Sequence, residues 1–565
     1  MNSRHHTGKL RPGNVARICG LCAAVVLLYL LSAELLGVPA AAVLSSGAAQ
    51  ETPCPAGFTV LPDTEWEALT ASLEETAMDP SAVLYDGARI SYVDAAYTAD
   101  GCTYYVPQDP DSPEWDGWFT GGSEAQLYIL EDEGLSDKAA SLQEGRVFSC
   151  LYVSGQTFSR FSLIMTGLPT VSIEYDNRSP LTSEGEDHDG SLYIRESDGG
   201  YTASACTIHV RGNLSREFVK KSYKISLKDA AGDNSAVSLC GMRSDDDWIL
   251  NALYMDETRT HEVLAYHVWE EILALSGRAE KTAQLTYVEV FLNNEYTGLY
   301  ALMERVDAMT FALEDGDVLY KIQSNTDDDI IKLTWPAGLT QYNGQEEIEG
   351  AKIEWPKAEK RAAAETDDGS DAVYRWDILE DCYQFVKGDL SLEDLADKGI
   401  RLDEQSIACY ELLVVLSGAS DNTWKNSFLI CTLQKDGGYL IAESPWDLNG
   451  TWGDDYAARF QTDSADDQDY THSDLWSAWY RDDPEGAWQA VCEVWQSLRD
   501  NDLSADTVCE EARDLWTDLL ISGSIYREAD LWPSHVNGDN YEQMLEWIRT
   551  RFDTLDDYYE YADSP

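Results

Sequence analysis

The segment Asp421-Asn-Thr-Trp-Lys-Asn-Ser-Phe-Leu-Ile-Cys-Thr432 decides the fold that we expect for this chain. Its second half is apolar, and a second apolar run, Tyr439-Leu-Ile-Ala442, follows a turn at Asp436-Gly-Gly438. Two apolar runs that are joined by a short polar turn predict a β-hairpin. Pro445-Trp-Asp447 comes directly afterwards, so polar residues stand at both ends of the predicted hairpin.

These polar residues have the spacing that transfer of a phosphoryl group requires. Such a transfer needs a carboxylate that accepts the proton of the attacking hydroxyl, and oxygen ligands that hold Mg²⁺ against the phosphates. Asn426 lies five residues after Asp421, and Asp447 follows the hairpin, which is the order that protein kinases use. The alternative is a structural loop, with an Asx turn at Asp421 and a capping role for Asp447.

The densest run of positive charge lies earlier in the chain, in Arg211-Gly-Asn-Leu-Ser215 and Lys220-Lys-Ser-Tyr-Lys224. A lysine on a strand beside a tight turn can pair with nucleotide phosphates. The alternative is that these residues only neutralise neighbouring acids. Because the sequence has no glycine-rich loop of the GxGxxG or Walker type, a phosphate cradle would have to be built differently.

The chain is strongly acidic, since 40 Lys and Arg face 102 Asp and Glu for a net charge of −62. Such a surface repels nucleic acid, so nucleic acid is not expected as a partner. It also repels nucleotide phosphates, and an ATP site would need metal ions and local basic residues. Hydrophobic residues make up 44% of the 565 residues, which is enough for sizeable cores and excludes a disordered chain.

The first 50 residues have the composition of an export signal. Four basic residues precede an uncharged apolar run over 18–33, and small residues follow to Ala49. The uncharged run is short for a membrane span, which needs about 20 residues, although extension to Leu44 would lengthen it. A cleaved signal peptide and a retained signal-anchor both stay open for residues 1–50. Either one exports the rest, and membrane contact is expected only through this segment.

The remainder divides by composition into two parts. Residues 51–165 carry short strand-like runs between turns, which predicts a β-rich accessory region. Residues 166–565 mix strands and helices without regular βαβ alternation, so the fold class is predicted as α+β. Within this part we expect a hairpin over 287–302 and helices over 253–275, 372–387, 403–417 and from Ser473 onward.

Cysteine usage does not predict a zinc site. Ten cysteines lie outside the N-terminal segment, with no CxxC or Cys/His pair at zinc-ligand spacing. Their even number permits disulfides in an oxidising compartment, but the pairing stays open.

Several motifs, taken in order, resemble the CotH kinase family of atypical kinases, which are similar to spore coat protein H. The matching segments are 211–215, 220–225, 247–256, 288–304, 421–426, 445–449, 527–532 and 547–552. The resemblance extends from about residue 166 to about residue 560. It implies a divergent protein-kinase-like domain that transfers phosphate from ATP to serine of secreted or envelope proteins, with Mg²⁺ or Mn²⁺ as cofactor.

The resemblance also implies roles for individual residues. The catalytic base would be Asp421, the metal ligands Asn426, Asp447 and Asn449, and the nucleotide-binding residues Arg211, Lys221, Lys224 and Glu304. Lys221 or Lys224 would be the phosphate lysine, and Glu304 would orient it or lie near the metal. We therefore expect the basic residues to gather beside Asp421, Asn426 and Asp447 in the folded chain, although about two hundred residues separate the two groups.

The sequence departs from the family at two places. Asn449 stands where the family commonly has a second acid, and Arg259-Thr260 stands where Arg-Asn is frequent. Loss of that acid would weaken a second metal site. The main rival hypothesis is therefore the same fold without useful catalysis, acting as a surface adhesin or as a cell-wall or glycan-associated binding protein. A structural envelope protein is a third hypothesis.

The N-terminal composition yields a prediction about location. Because basic residues precede the apolar run and the remainder is acidic, the protein should be cleaved by protease added to intact cells. Immunoblotting before and after lysis measures this, with a cytosolic protein as control. Full-length protein that is protected until lysis would contradict export.

Overall fold

The computed structural model describes residues 53–94, 101–176, 181, 186–212, 214–278, 282–323, 347–348, 350–357, 375–453 and 472–561. Pro53–Pro565 forms one compact unit. The predicted export segment over 1–50 lies outside the described residues, and the boundary predicted between 165 and 166 stays a prediction. Among the described helices, none has the length and apolarity that a membrane crossing demands.

The first part of the chain forms a mainly β layer. Its strands are β1 (Phe58–Leu61), β2 (Glu74–Glu75), β3 (Leu84–Tyr85), β4 (Ser91–Val93), β5 (Thr103–Pro107), β6 (Phe119–Thr120), β7 (Ala125–Leu130), β8 (Val147–Ser154) and β9 (Thr157–Thr166), and its helices are α1 (Asp63–Ala71) and α2 (Lys138–Gln143). Seven strands form one sheet in the order β1-β7-β8-β9-β5-β4, with β2 added to β9, while β3 pairs with β6. Strands thus predominate in this part of the chain, while its status as a separate accessory region stays a prediction.

The second part is a closed seven-stranded barrel. The elements are β10 (Thr170–Tyr175), β11 (His188–Arg195), β12 (Tyr201–Arg211), β13 (Ser222–Lys228), β14 (Val237–Ser238), β15 (Ser244–Asp245), β16 (Asp247–Asn251), α3 (His261–Leu275), β17 (Leu285–Leu292) and β18 (Glu295–Glu304). The barrel order is β10-β11-β12-β13-β16-β18-β17, and parallel pairing of β10 with β17 closes it. Asn293 and Asn294 both have positive φ, which suits the tight turn of the predicted β17–β18 hairpin.

The helix predicted over 253–275 begins only at His261. Leu253 and Arg259 have φ of +49° and +65°, a left-handed conformation that an α-helix does not contain. The residues before His261 therefore form an irregular segment between β16 and α3. The apolar spacing that predicted the helix continues through this segment because Leu253 and Tyr254 are buried without being helical.

The third part is a six-stranded sheet with helices beside it. It contains β19 (Val318–Ile322), β20 (Glu347–Ile348), β21 (Ala351–Trp355), α4 (Trp376–Lys387), α5 (Leu392–Asp397), β22 (Ile400–Leu402), α6 (Glu404–Ser417), β23 (Ser427–Leu433) and β24 (Tyr439–Pro445). The strand order is β20-β21-β19-β23-β24-β22. The predicted hairpin is confirmed as β23 and β24, and α6 ends at Gly418, whose φ of +69° gives a left-handed cap.

The chain continues as helices, as predicted. They are α7 (Asp474–Asp482), α8 (Pro484–Asp500), α9 (Ala505–Ile521), α10 (Ser524–Leu531) and α11 (Asp539–Tyr558). In α11 the buried residues Met544, Ile548 and Phe552 recur every four positions and give the helix one apolar face. Helices and strands are thus mixed without βαβ repetition, and the α+β class is confirmed.

A buried carboxylate joins this helical end to the barrel. Glu528 of α10 lies 2.6 Å from the amine of Lys220 and 2.9 Å from the guanidinium of Arg259, and all three side chains are fully buried. Its other oxygen accepts a hydrogen bond of 2.8 Å from the N–H of Leu299 in β18. The single negative charge of Glu528 therefore offsets the positive charges of both buried side chains, Lys220 and Arg259.

Replacement of Glu528 by alanine should destabilise the fold strongly. The change leaves Lys220 and Arg259 buried without their carboxylate, and loss of one partner of a buried pair costs about 3 to 5 kcal/mol. Urea unfolding followed by circular dichroism measures the free energy of unfolding. Glu546→Ala is the control, since its carboxylate is 78% exposed and lies 3.8 Å from Arg549. Equal effects of the two substitutions would contradict this account.

Candidate functional site

Two loops that carry the predicted catalytic and metal-binding residues are held together by one buried amide. Asn422, in a short 3₁₀ turn after α6, donates from Nδ2 to the carbonyl oxygens of Asn426 at 2.9 Å and of Trp446 at 2.8 Å. The N–H of Trp446 donates to the same carbonyl of Asn426 at 2.8 Å. Asn426 and Asp447 are therefore fixed on adjacent loops, at the two ends of the β23–β24 hairpin.

Both of these residues have left-handed backbone conformations. The φ of Asn426 is +54° and that of Asp447 is +60°. Asn and Asp enter this region more readily than other non-glycine residues, although the conformation costs about 1 to 2 kcal/mol. Strain of this kind concentrates at sites that must hold side chains in a set geometry.

Both carboxylate oxygens of Asp421 are engaged. Oδ2 accepts a hydrogen bond of 2.9 Å from Nδ2 of Asn426, and Oδ1 lies 2.6 Å from the amine of Lys425. Because its nitrogen donates to Asp421, Asn426 has its side-chain carbonyl oxygen left as a donor atom for a cation. The Asp421 and Lys425 side chains are about one third exposed, at 32% and 27%.

Asp447 lies in a cleft that Arg211, Lys321 and Glu262 border. The residue is exposed to solvent, and yet surrounding protein atoms desolvate its carboxylate and raise its pKa, against the opposing charges of Arg211 and then Lys321. A side chain that solvent reaches but that protein encloses on most sides must lie in a concave surface.

Two cations flank Asp447, and both lie over the ring of Trp446. The guanidinium carbon of Arg211, at the end of β12, is 5.4 Å from the ring centroid, and the amine of Lys321, in β19, is 4.4 Å from it. Burial, and then the charge of Arg211, lowers the pKa of Lys321 to about 7. Within the described part of the chain, neither cation forms an ion pair within 4.0 Å.

Helix α3 closes the cleft from the side. Its buried Glu262 accepts a hydrogen bond of 2.8 Å from Asn251 of β16. Burial raises the pKa of Glu262, and the negative charge of Asp447 raises it further, while Arg211 opposes the shift. The buried side chain of Tyr266, one turn later, lies close to the backbone of Asp447.

Of the three predicted basic residues, only Arg211 is described beside the predicted metal-binding and catalytic loops. Arg211 lies beside Asp447 as expected, across a separation of more than two hundred residues. Asn449 is partly exposed on the same loop, two residues after Asp447. Arg211, Asp421, Asn426 and Asp447 are therefore neighbours in the structure, and their roles in binding and catalysis stay predictions.

The other three predicted nucleotide-binding residues have partners elsewhere. Lys224 pairs at 3.0 Å with Asp247 of β16, and Lys221 donates to the backbone carbonyl of Arg216. Glu304 accepts hydrogen bonds from the N–H groups of Arg243 at 2.9 Å and Gln284 at 3.3 Å. Among the described residues, no hydrogen bond or ion pair joins Glu304 to Lys221 or Lys224, and its carboxylate lies 3.9 Å from the guanidinium of Arg243. Its role beside a lysine or a metal stays a prediction.

Sequence reasoning missed three charged residues of the cleft, namely Lys321, Lys425 and Glu262. Lys321 had a detectable signal, because it interrupts the apolar strand Val318-Leu-Tyr-Lys-Ile322 with a charge. Lys425 lies inside the quoted motif itself. Glu262 had no such signal, since an acidic residue in the first turn of a helix is ordinary.

The donor set at the cleft fits a hard divalent cation. Mg²⁺ is usually bound through one or two carboxylates together with phosphate oxygens and water. Asp447 supplies a carboxylate, and Asn426 supplies the amide oxygen that its contact with Asp421 leaves available. Within the described ranges, no group of three or more His, Cys, Asp or Glu residues could hold a metal ion by itself. Phosphate oxygens would therefore have to complete the coordination.

A family model described as CotH kinase protein matches residues 208–555, which is more than half of the chain. The match includes all eight predicted site residues and also Glu262, Lys321 and Lys425. No curated protein matches the chain.

The environment of Lys321 yields a prediction about reactivity. A lowered pKa means that the ammonium loses its proton as the pH rises through about 7, and only the neutral amine is acylated. In metal-free buffer, modification of Lys321 by an acylating reagent should rise through pH 7 and level off by about pH 8. Peptide mass spectrometry measures this.

The exposed Lys435, in the turn of the β23–β24 hairpin, reports the intrinsic pH dependence of the reagent. A rate at Lys321 that keeps rising beyond pH 9 would contradict the lowered pKa. Because the residue is only partly exposed, its plateau rate should be below that of Lys435.

Proposed function

The chain belongs to the CotH kinase family, and from this premise we propose that it is an exported atypical protein kinase. In this proposal it transfers the γ-phosphoryl group of ATP to serine hydroxyls of secreted or envelope proteins. The observation that carries the proposal is the convergence of Asp421, Asn426 and Asp447 in one cleft with two cations that have no carboxylate partner within 4.0 Å among the described residues.

The residues have complementary roles in this reaction. As the oxygen of the acceptor hydroxyl bonds to the γ-phosphorus, its proton passes to Asp421, and the bond from the γ-phosphorus to the departing oxygen of ADP breaks. Asn426 holds Asp421 in place through its 2.9 Å hydrogen bond. Asp447 and Asn426 would hold Mg²⁺ or Mn²⁺, which supplies neutralisation of the phosphate charges when bound.

Electrostatics explains why the cleft needs both cations and metal. The whole chain carries a net charge of −62, which opposes the approach of a polyanion. Arg211 provides positive charge where the phosphates would lie, and Lys321 adds to it in its ammonium form, which a bound anion favours. Their local field is strengthened by partial burial, because charges in a protein cleft are screened less than charges on an open surface.

A second candidate function has one observation in its favour. Asn449 replaces the second acid that is common in the family, so one carboxylate is missing from the metal loop. A protein with the same fold and weak or absent catalysis would act as a surface adhesin or a cell-wall or glycan-associated binder. Localisation at the cell surface, whether anchored or released, is part of both proposals.

Substitutions at the cleft separate binding from transfer. Asp447→Asn should abolish metal-dependent ATP binding, because an amide holds Mg²⁺ poorly in so negative a protein. Asp421→Asn should leave binding nearly intact and lower transfer by about 100-fold or more, since general base catalysis contributes that much. Asn449→Asp should raise transfer by restoring the second acid. Calorimetry measures the binding, and labelled ATP with Mg²⁺ or Mn²⁺ measures the transfer to the protein itself and to serine-containing acceptors.

Asp436→Asn is the matched control for the acid-to-amide change. This carboxylate is 58% exposed, pairs with Arg401 at 2.9 Å, and lies in the turn of the same hairpin. It should change neither ATP binding nor transfer. If the unsubstituted protein binds no ATP with either metal and labels no acceptor, catalysis is excluded and the binding role remains.

A further inference from the structure

The indole of Trp446 has an unusual set of neighbours. The amine of Lys321 and the guanidinium of Arg211 both approach its ring, at 4.4 and 5.4 Å from the centroid. Phe428 of β23 meets the ring edge-on, with centroids 5.8 Å apart and planes at 87°. The side chain is 7% exposed, and the next residue in the chain is Asp447.

The backbone of Trp446 is fixed independently of this ring. Its N–H donates to the carbonyl of Asn426, and its own carbonyl accepts from the side chain of Asn422. The ring therefore extends from a peptide that is tied to the Asp421–Asn426 loop. A change of side chain at this position can alter what lies against the cations without removing either hydrogen bond.

Two like charges so close together need a source of negative potential. Arg211 and Lys321 repel each other, and in the described residues neither has an ion pair within 4.0 Å. The carboxylates of Asp447, Glu262 and Glu354 act on them from farther away and do not fix their positions by direct contact. The face of an indole carries negative potential and attracts a cation that lies over it, more strongly than phenylalanine or tyrosine does. Because the ring has no net charge, it holds the cations without neutralising them, and their charge stays available to an anion.

We infer that Trp446 is a positioning residue that holds Arg211 and Lys321 in place for the phosphate chain of the nucleotide. The inference rests on the proposed function for the identity of the ligand, but it makes no use of the adenine base. The alternative roles for this tryptophan are stacking on the base and packing of the hydrophobic core. These three roles predict different effects on a ligand that consists of phosphates alone.

The test compares ATP with inorganic tripolyphosphate, both with Mg²⁺, by calorimetry on Trp446→Leu, Trp446→Phe and the unsubstituted protein. Trp446→Leu should weaken both ligands by a similar factor of about 10, which corresponds to 1.4 kcal/mol. Trp446→Phe keeps an aromatic face and should lose about threefold for both. In the transfer assay, KM for ATP should rise by more than kcat falls.

Trp66→Leu is the matched control. This tryptophan lies in α1, outside the two loops that carry Asp421, Asn426 and Asp447, and at 8% exposed it is buried to nearly the same extent as Trp446. It removes a buried indole and leaves the ring under the two cations in place, so the folded protein should keep its affinity for tripolyphosphate. Circular dichroism and thermal unfolding establish the folded fraction of every variant.

The outcomes separate the alternatives. Weaker ATP binding with unchanged tripolyphosphate binding would show that the ring contacts the base and would overturn the inference, as would unchanged binding of both ligands to folded Trp446→Leu. If that variant does not fold, Trp446→Phe decides: loss for both ligands supports the inference, and no loss overturns it. If the unsubstituted protein binds tripolyphosphate in a Trp446-dependent way but not ATP, the kinase proposal fails while the inference stands. If it binds neither, both fail.

Discussion

The cleft depends on the two hydrogen bonds that the amide of Asn422 donates. They connect the carbonyl of Asn426, which ends one loop, to the carbonyl of Trp446, which begins the other. Without this amide, the carbonyl of Asn426 would keep the N–H of Trp446, but the carbonyl of Trp446 would lose the donor that Asn422 supplies, and an unsatisfied buried carbonyl costs about 1 to 3 kcal/mol. The hydroxyl of Tyr410 in α6 binds the carbonyl of Asn422 in turn, at 2.8 Å. The relative position of Asp421 and Asp447 is thus set from the core outward.

Local patterns predicted the parts of the site that are close in sequence. The β23–β24 hairpin and the Asp421, Asn426 and Asp447 spacing were visible because they occupy fewer than thirty consecutive residues. Lys321 enters the cleft through pairing of β19 with β23, where it stands opposite Phe428. Nothing in the local sequence specifies that register, because it is selected by packing of the whole sheet. The family resemblance supplied Arg211, which charge density alone did not distinguish from its neighbours.

The basic run over 220–224 shows why density of charge along the chain is a poor guide to a site. Lys220 is fully buried against Glu528, which lies 308 residues away in the sequence. Lys221 binds a backbone carbonyl of the preceding loop, and Lys224 pairs with Asp247. Strand alternation and long-range pairing therefore assign three nearby lysines to three structural tasks.

The surroundings of Arg211 and Lys321 explain why these two cations remain in the cleft. In a chain with 102 acidic residues, a lysine or arginine that lies near a carboxylate is readily compensated by it. Among the described residues, Arg211 and Lys321 have no carboxylate within 4.0 Å, and their partly buried side chains lie over Trp446, whose aromatic face attracts cations without neutralising them. Among the carboxylates, Asp447 has the largest effect on the pKa of Arg211, and Glu354 has the largest effect on that of Lys321. Metal binding would direct the charge of Asp447 toward a divalent ion. An acidic protein can in this way keep positive charge available for phosphate, provided that an uncharged ring rather than a carboxylate holds it.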